Sequence, residues 1–181
     1  MALPAEYVAL LEKLASAFTE YEHRTGSVAV LVGGAATAIQ TGGEFMSADL
    51  DIIAADDAAF ENAMSATGFL AEDRKGRLLG GFYHPDFPAY AIEQVSGPLF
   101  DGRSDQQRLL RLQVREGNSI VLPAIEDLIA DRLAQHSVAS GSDDSRLLQA
   151  RALLRLAKEV DTILSAESWR KVAMLPSLKY R

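Results

Sequence analysis

Residues 28–32 form a short apolar run, Val-Ala-Val-Leu-Val, that ends on Gly33-Gly34; further on the chain carries Asp49-Leu50-Asp51-Ile52-Ile53. No other stretch constrains the fold as strongly. The first run has the length and valine content of a buried strand. The glycines end it, and the small residues 35–41, closed by Gly42-Gly43, are expected to form a short helix. In the second run Leu50 and Ile52 alternate with two acids. Residues i and i+2 of a strand share a face, so Asp49 and Asp51 point the same way while the apolar residues face a core.

The flanking segments supply the rest of the architecture. Residues 4–24 read as an amphipathic helix, with Tyr7, Leu10, Leu11, Leu14, Phe18 and Tyr21 on one stripe, Pro4 in its first turn and Gly26 after its end. Asp56 is placed to cap a helix over 57–67 that Gly68 stops. Strands are expected at 69–73 and 77–83 about a Lys75-Gly76 turn, and at 89–95 up to Ser96-Gly97-Pro98. A hairpin is expected from 111–114 and 119–122 across Glu116-Gly117-Asn118. After Pro123 the pattern turns helical, over 124–139 and 143–165, with Ser140-Gly141-Ser142 between and Asp143 or Asp144 as cap. A last short helix is expected over 168–175. This order predicts an α+β fold: a mixed β-sheet with helices over residues 1–122, then a small C-terminal helical subdomain over 123–181.

Composition narrows the function. The 181 residues are 48% apolar and include no cysteine, which excludes disulfides and thiolate chemistry and fits a cytoplasmic setting. The start carries Glu6 and Glu12 with no basic segment before an apolar block, and no apolar run is long enough for a bilayer span. A net charge of −7 argues against a protein whose whole surface binds nucleic acid; such a contact would need a local basic patch.

The chemistry gathers at the glycines and acids. Glycine allows close backbone approach to a phosphate, and a helix start offers it free N–H groups. Asp49 and Asp51 repel one another, and a cation between them resolves the repulsion; hard oxygen ligands suit Mg²⁺ together with substrate phosphates. Glu93, in a strand between Ala91, Ile92 and Val95, is the best third acid. It could complete a metal site or take the proton from an attacking hydroxyl.

Gly33-Gly34 followed by Ser47-Ala48-Asp49-Leu50-Asp51 resembles the signature of the polymerase-beta-type nucleotidyltransferases, and within them the small bacterial abortive-infection and toxin-type group. The resemblance spans roughly 26–165. It implies that Gly33, Gly34 and Ser47 hold a nucleoside triphosphate, that Asp49 and Asp51 bind Mg²⁺, and that Glu93 is the third acid. The segment after Pro123 resembles the helix that follows the catalytic sheet in these proteins, where Arg132 takes the place of a lysine and implies a phosphate contact. Two positions depart from the pattern: Phe45-Met46 stands where a basic residue is common, and glutamate stands at 93 where aspartate is commoner.

The activity so implied is Mg²⁺-dependent transfer of a nucleoside monophosphate to a hydroxyl of RNA, protein or a small molecule. A toxin-like role beside an antitoxin-like partner follows from the resemblance alone. The alternative is a degenerate member that binds a nucleotide or a partner without catalysis.

Each feature also has a plainer reading. Gly33-Gly34 serves as an ordinary turn, Ser47 bonds nearby backbone, Arg132 forms a surface ion pair, and Asp143 and Asp144 cap a helix. His84 reads as a loop residue, and His23, His84 and His136 have no metal-ligand spacing. Lys75, Arg77 and Arg103 read as solvated charges or the lining of an acceptor groove. The leucines of 147–164 read as core or a homodimer interface, and Trp169 as a packing residue.

Overall fold

The computed structural model describes residues 2–72, 80–95, 97, 99–102, 106–138 and 144–157. In chain order the elements are α1 (Ala5–Thr25), β1 (Val30–Val32), α2 (Gly33–Gln40), β2 (Asp49–Ile53), α3 (Asp57–Ala66), β3 (Leu70–Ala71), β4 (Gly81–Tyr83), β5 (Ala91–Gln94), β6 (Leu110–Arg115), β7 (Asn118–Leu122), α4 (Ile125–Val138) and α5 (Ser145–Leu156).

The expected apolar stripe of α1 is its buried face: Tyr7, Leu10, Leu11, Leu14, Phe18 and Tyr21 are all buried, and Gly26 ends the helix in the left-handed conformation at φ 71°. The Tyr21 hydroxyl accepts from the backbone N–H groups of Ala55 and Asp56, each at 3.0 Å, which fixes the entry to α3. Asp56 caps that helix by accepting from the Ala59 N–H at 2.9 Å.

Five strands form one sheet in the order β1-β2-β5-β4-β3. The β2–β5 pair is parallel and the other pairs are antiparallel, so the sheet is mixed as expected. Leu50, Ile52, Phe82 and Ile92 bury one sheet face in the apolar core with α1 and α3. Edge-on aromatic pairs continue through it, from Tyr21 to Phe60 and from Phe60 to Phe82. The opposite face carries Asp49, Asp51 and Glu93.

β6 and β7 form the predicted hairpin as a separate two-stranded ribbon, with β7 buried and β6 largely exposed. Two contacts set the helix that follows. Gln40 donates to the Pro123 carbonyl at 2.9 Å, joining the end of α2 to the approach to α4. Arg108 bridges Glu126 at 2.9 Å and Asp127 at 3.2 Å in the first turn of α4. Leu128, Ile129, Ala150 and Leu153 from α4 and α5 belong to the same apolar cluster as the sheet and α1. No described helix is long and apolar enough to cross a membrane.

Three expectations are corrected or bounded. α2 begins at Gly33 rather than Ala35, so both glycines lie in its first turn. Asp144 stands at the start of α5, but its side chain makes no capping hydrogen bond. The Lys75-Gly76 turn, Arg77, Arg103, Asp143, the continuation of α5 to 165, the 168–175 helix and Trp169 lie outside the described residues.

Candidate active site

Asp51 is the centre of the arrangement. It stands opposite Val32 on one side and Glu93 on the other, while Asp49 stands opposite Ala91. The parallel β2–β5 pairing therefore brings Asp51 and Glu93 side by side across strands distant in sequence. Gly33 follows directly after β1 at φ +69°, and a Cβ there would lie 2.5 Å from Asp51 Oδ2. The glycine is required twice, by its left-handed backbone and by the carboxylate pressed against it. A Cβ on Gly34 would in turn lie 3.0 Å from Ser47 Oγ. The Ser47 hydroxyl donates to the Asp49 carbonyl at 2.8 Å, a local bond that fixes the turn into β2.

The α2 N-terminus has no side-chain cap, because Val32 occupies that position. Its first-turn N–H groups and the positive end of its dipole face the region of Asp51, a setting suited to an anion. The strand register and the glycine contacts thus bring Gly33, Asp51 and Glu93 together, with Gly34 against Ser47 and Asp49 two residues before Asp51 on β2.

The electrostatics agree with that crowding. Burial pushes the Asp51 carboxyl above its ordinary range; the negative charges of Glu93, Asp49 and Asp131 push the same way, and Arg132 opposes them. Arg132 is the main correction to the sequence reading. It is 5% exposed, not on a solvated face, and its Nε donates to Asp131 Oδ2 at 3.1 Å. Asp131 also accepts from the Gln135 amide at 3.2 Å. The buried guanidinium is close enough for its charge to act on Asp51. What covers it is the packing of α4 against α2 and α5, which the periodicity of one helix does not reveal.

A divalent ion fits this donor set chemically, since all three acids offer hard oxygen ligands. Among the described residues, no group of three His, Cys, Asp or Glu side chains is placed to hold a metal ion.

Sequence reasoning missed two further features. His84 lies in the loop after β4, as read, but is only 5% exposed and is packed between the rings of Phe69 and Phe87. Beside Asp49 lies a cavity of about 360 Å³ lined also by Glu72, Tyr83, Pro88, Ala89, Tyr90 and Ala91. The signal for the cavity was strand alternation, which puts Tyr83 and Ala91 on the face of Asp49; only the strand order shows that they are neighbours.

No family model and no curated protein matches the chain. Solved structures do. An antigenic nucleotidyltransferase-like protein from Paracoccidioides brasiliensis superposes with a TM-score of 0.61 at 13% identity, covering 90% of this chain and 87% of that one. The antibiotic-resistance factor ANT(2'')-Ia in solution gives 0.56 at 14% identity over 92% and 88%. ANT(2'')-Ia in complex with adenylyl-2''-tobramycin gives 0.58 at 13% identity over 91% and 98%. The chain has an α+β, nucleotidyltransferase-like fold.

Proposed function

We propose that this protein is a Mg²⁺-dependent nucleotidyltransferase that moves a nucleoside monophosphate from a nucleoside triphosphate to a hydroxyl acceptor. The observation that carries the reading is the convergence at Asp51. A half-buried carboxylate lies beside Glu93 in the neighbouring strand and against Gly33 at an uncapped helix start. The fold shared with nucleotidyltransferase-like proteins supports it.

In this reading the first turn of α2 and Ser47 receive the triphosphate, and Arg132 offsets its charge from α4. Asp49, Asp51 and Glu93 would hold Mg²⁺, which would supply charge neutralisation at the transferring phosphate. The acceptor oxygen attacks the α-phosphorus, the bond from that phosphorus to the bridging oxygen breaks, and pyrophosphate leaves. A carboxylate of the acidic row, Glu93 by its position, accepts the hydroxyl proton.

RNA, protein and small molecules are the acceptor classes. A toxin-like role with an antitoxin-like partner, and a homodimer through the leucines of α5, are narrower forms of the same proposal. A second reading, a nucleotide-binding module without turnover, is favoured by Phe45-Met46 in place of a basic residue and by the lack of a ready-made three-acid cage among the described residues.

Calorimetric titration of each nucleoside triphosphate, with and without Mg²⁺, tests the site against an Asp49→Asn/Asp51→Asn variant. The expected result is Mg²⁺-dependent binding that the variant loses. A folded protein that binds no triphosphate overturns the enzyme and the nucleotide-binding readings and leaves a partner-binding module. Binding without release of pyrophosphate in the presence of candidate acceptors selects the second.

A further inference from the structure

We propose that Asp131 and Gln135 are positioning residues of the transfer site: they fix the Arg132 guanidinium near Asp51, and so set the affinity for a triphosphate that neither of them touches. The inference rests on the nucleotidyltransferase reading and adds to it the contacts within α4 and α5 that prepare the buried cation of the site.

Helix geometry puts Arg132 at the site. Gln40, at the end of α2, donates to the Pro123 carbonyl just before α4. Gly33, at the start of α2, lies against Asp51, on which the Arg132 charge acts. From Gln40 back to Gly33, and from Ile125 on to Arg132, the chain runs roughly seven residues, or about 10 Å of helix. The two packed helices therefore lie alongside in opposite directions, with Arg132 level with the uncapped start of α2.

One edge of the guanidinium is tied down there. Its Nε donates to Asp131 Oδ2 at 3.1 Å, and its Nη2 donates to the same oxygen. Adjacent residues of a helix do not face one another, so helical spacing does not supply this bond. The arginine side chain has to fold back along α4, and packing keeps it there: it is 6% exposed, and the Asp131 side chain 14%. Those two are the hydrogen bonds that Arg132 makes among the described residues. The N–H groups of Nη1 remain for an anion.

The carboxylate is itself held. Gln135 lies one helical turn on, at the spacing that does bring side chains together, and its Nε2 donates to both Asp131 oxygens at 3.2 Å. Gln135 Oε1 accepts in turn from Arg146 Nε of α5 at 3.2 Å. Both ends of the amide are used, so it cannot turn over without losing a bond. Contacts thus run from α5 through Gln135 and Asp131 to Arg132. Each removes rotamer freedom that an untethered arginine would lose only when the triphosphate arrived.

Charge alone argues the opposite way, which separates the two accounts. Asp131 is an acid near an anion site, and its charge acts on Asp51 in the opposite sense to that of Arg132. If Asp131 mattered only as a charge, every substitution that neutralised it would tighten triphosphate binding. If it positions Arg132, the outcome depends on whether an oxygen acceptor is left at 131.

The test measures binding of each nucleoside triphosphate with Mg²⁺ by calorimetry, with circular dichroism as the check on folding. The variants are Asp131→Asn, Asp131→Ala, Gln135→Ala, Arg132→Gln and the double variant Asp131→Ala/Arg132→Gln. Asp131→Asn keeps an oxygen acceptor and should bind at least as tightly as the natural protein. Asp131→Ala should bind about tenfold more weakly, the loss of one charge-assisted contact. Gln135→Ala should weaken binding by a smaller factor, and Asp131→Ala should add nothing to the loss caused by Arg132→Gln. Unchanged or tighter binding by a folded Asp131→Ala protein, equal losses in the Asn and Ala variants, or a loss that persists beside Arg132→Gln overturns the positioning role and leaves the transferase reading standing. Should Asp131→Ala fail to fold, Gln135→Ala, which keeps both charges of the pair, decides, and unchanged binding there overturns the role. Absence of triphosphate binding by the natural protein overturns both.

Discussion

At Gly33 the backbone and the site make the same demand, and substitution there separates it from its neighbour. A Cβ at Gly33 meets Asp51 Oδ2 at 2.5 Å in a left-handed conformation, so Gly33→Ala should cost about 2 kcal/mol or more and displace the carboxylate. At Gly34 a Cβ would meet Ser47 Oγ at 3.0 Å, which can rotate away, and Ser47 Cβ at 3.2 Å, which must give by a few tenths of an ångström; Gly34→Ala should cost about 1 kcal/mol, through the Ser47 hydrogen bond and that small shift. Urea denaturation checks both, and equal losses would show that the Asp51 contact is unimportant. Asp51 itself is a source of instability. Its pKa in the fold is raised, by burial first and then by Glu93, so its contribution is present at low pH and lost as pH rises through the folded value. In the absence of divalent ions, Asp51→Asn should therefore be more stable than the natural protein by about 1 kcal/mol at neutral pH. The difference should close below about pH 4, where the natural carboxyl is protonated. A variant less stable at neutral pH would refute this account.

Between elements, polar contacts decide more than the sequence reveals. Glycines, alternating acids and the Asp56 cap located α1, β2 and α3 because each signal is local. The burial of Arg132 and His84 was not legible, since it depends on which elements fold over them. Likewise the pairing of Asp51 with Glu93 is a register between strands that no local pattern fixes; only the acid within an apolar strand hinted at it. An exposed link of this kind joins α1 to β6: Arg111 donates to both Glu22 oxygens, at 2.8 Å and 2.9 Å. The hydrogen bond to Arg111 holds the Glu22 carboxyl below its ordinary range, so its contribution is present above the unfolded value of 4.5 and is lost as pH falls through the lower folded one. Both side chains are well exposed, and solvent screening reduces the link to about 0.5 kcal/mol or less. Arg111→Met should cost no more than that at neutral pH and nothing once Glu22 is protonated. A loss several times larger would mean that the hydrogen bond from Arg111 to the Ser119 hydroxyl at 3.1 Å matters more than the charge pair.

For the molecule as a whole, the change of pattern at Pro123 and the continuity of the core pull in different directions. Strands before that residue and helices after it suggest two parts at 1–122 and 123–181. Yet Leu153 of α5 is fully buried in the same apolar cluster as Leu50, Ile92 and the α1 stripe. A core shared in this way couples the helices to the sheet, and domains below about 150–200 residues with one core unfold cooperatively. Leu153→Ala removes buried methyl groups and leaves a cavity, so it should cost about 2–4 kcal/mol. At roughly 2–4 °C per kcal/mol for a chain of this size, the melting temperature should fall by several degrees in a single transition. The decisive comparison is between probes of different regions: far-ultraviolet circular dichroism follows all the helices, whereas near-ultraviolet signals, on a Trp169→Phe/Tyr180→Phe background, follow Tyr7 and Tyr21 of α1, Tyr83 of β4 and Tyr90 just before β5. Coincident melting, displaced equally by Leu153→Ala, means that the helices after Pro123 stabilise the acidic row by sharing its core and that Arg132 is held as firmly as Asp51. If the helical signal melts first while the tyrosine signals stay put, the two parts are energetically separate, and Arg132 faces the site only while the helical part is docked.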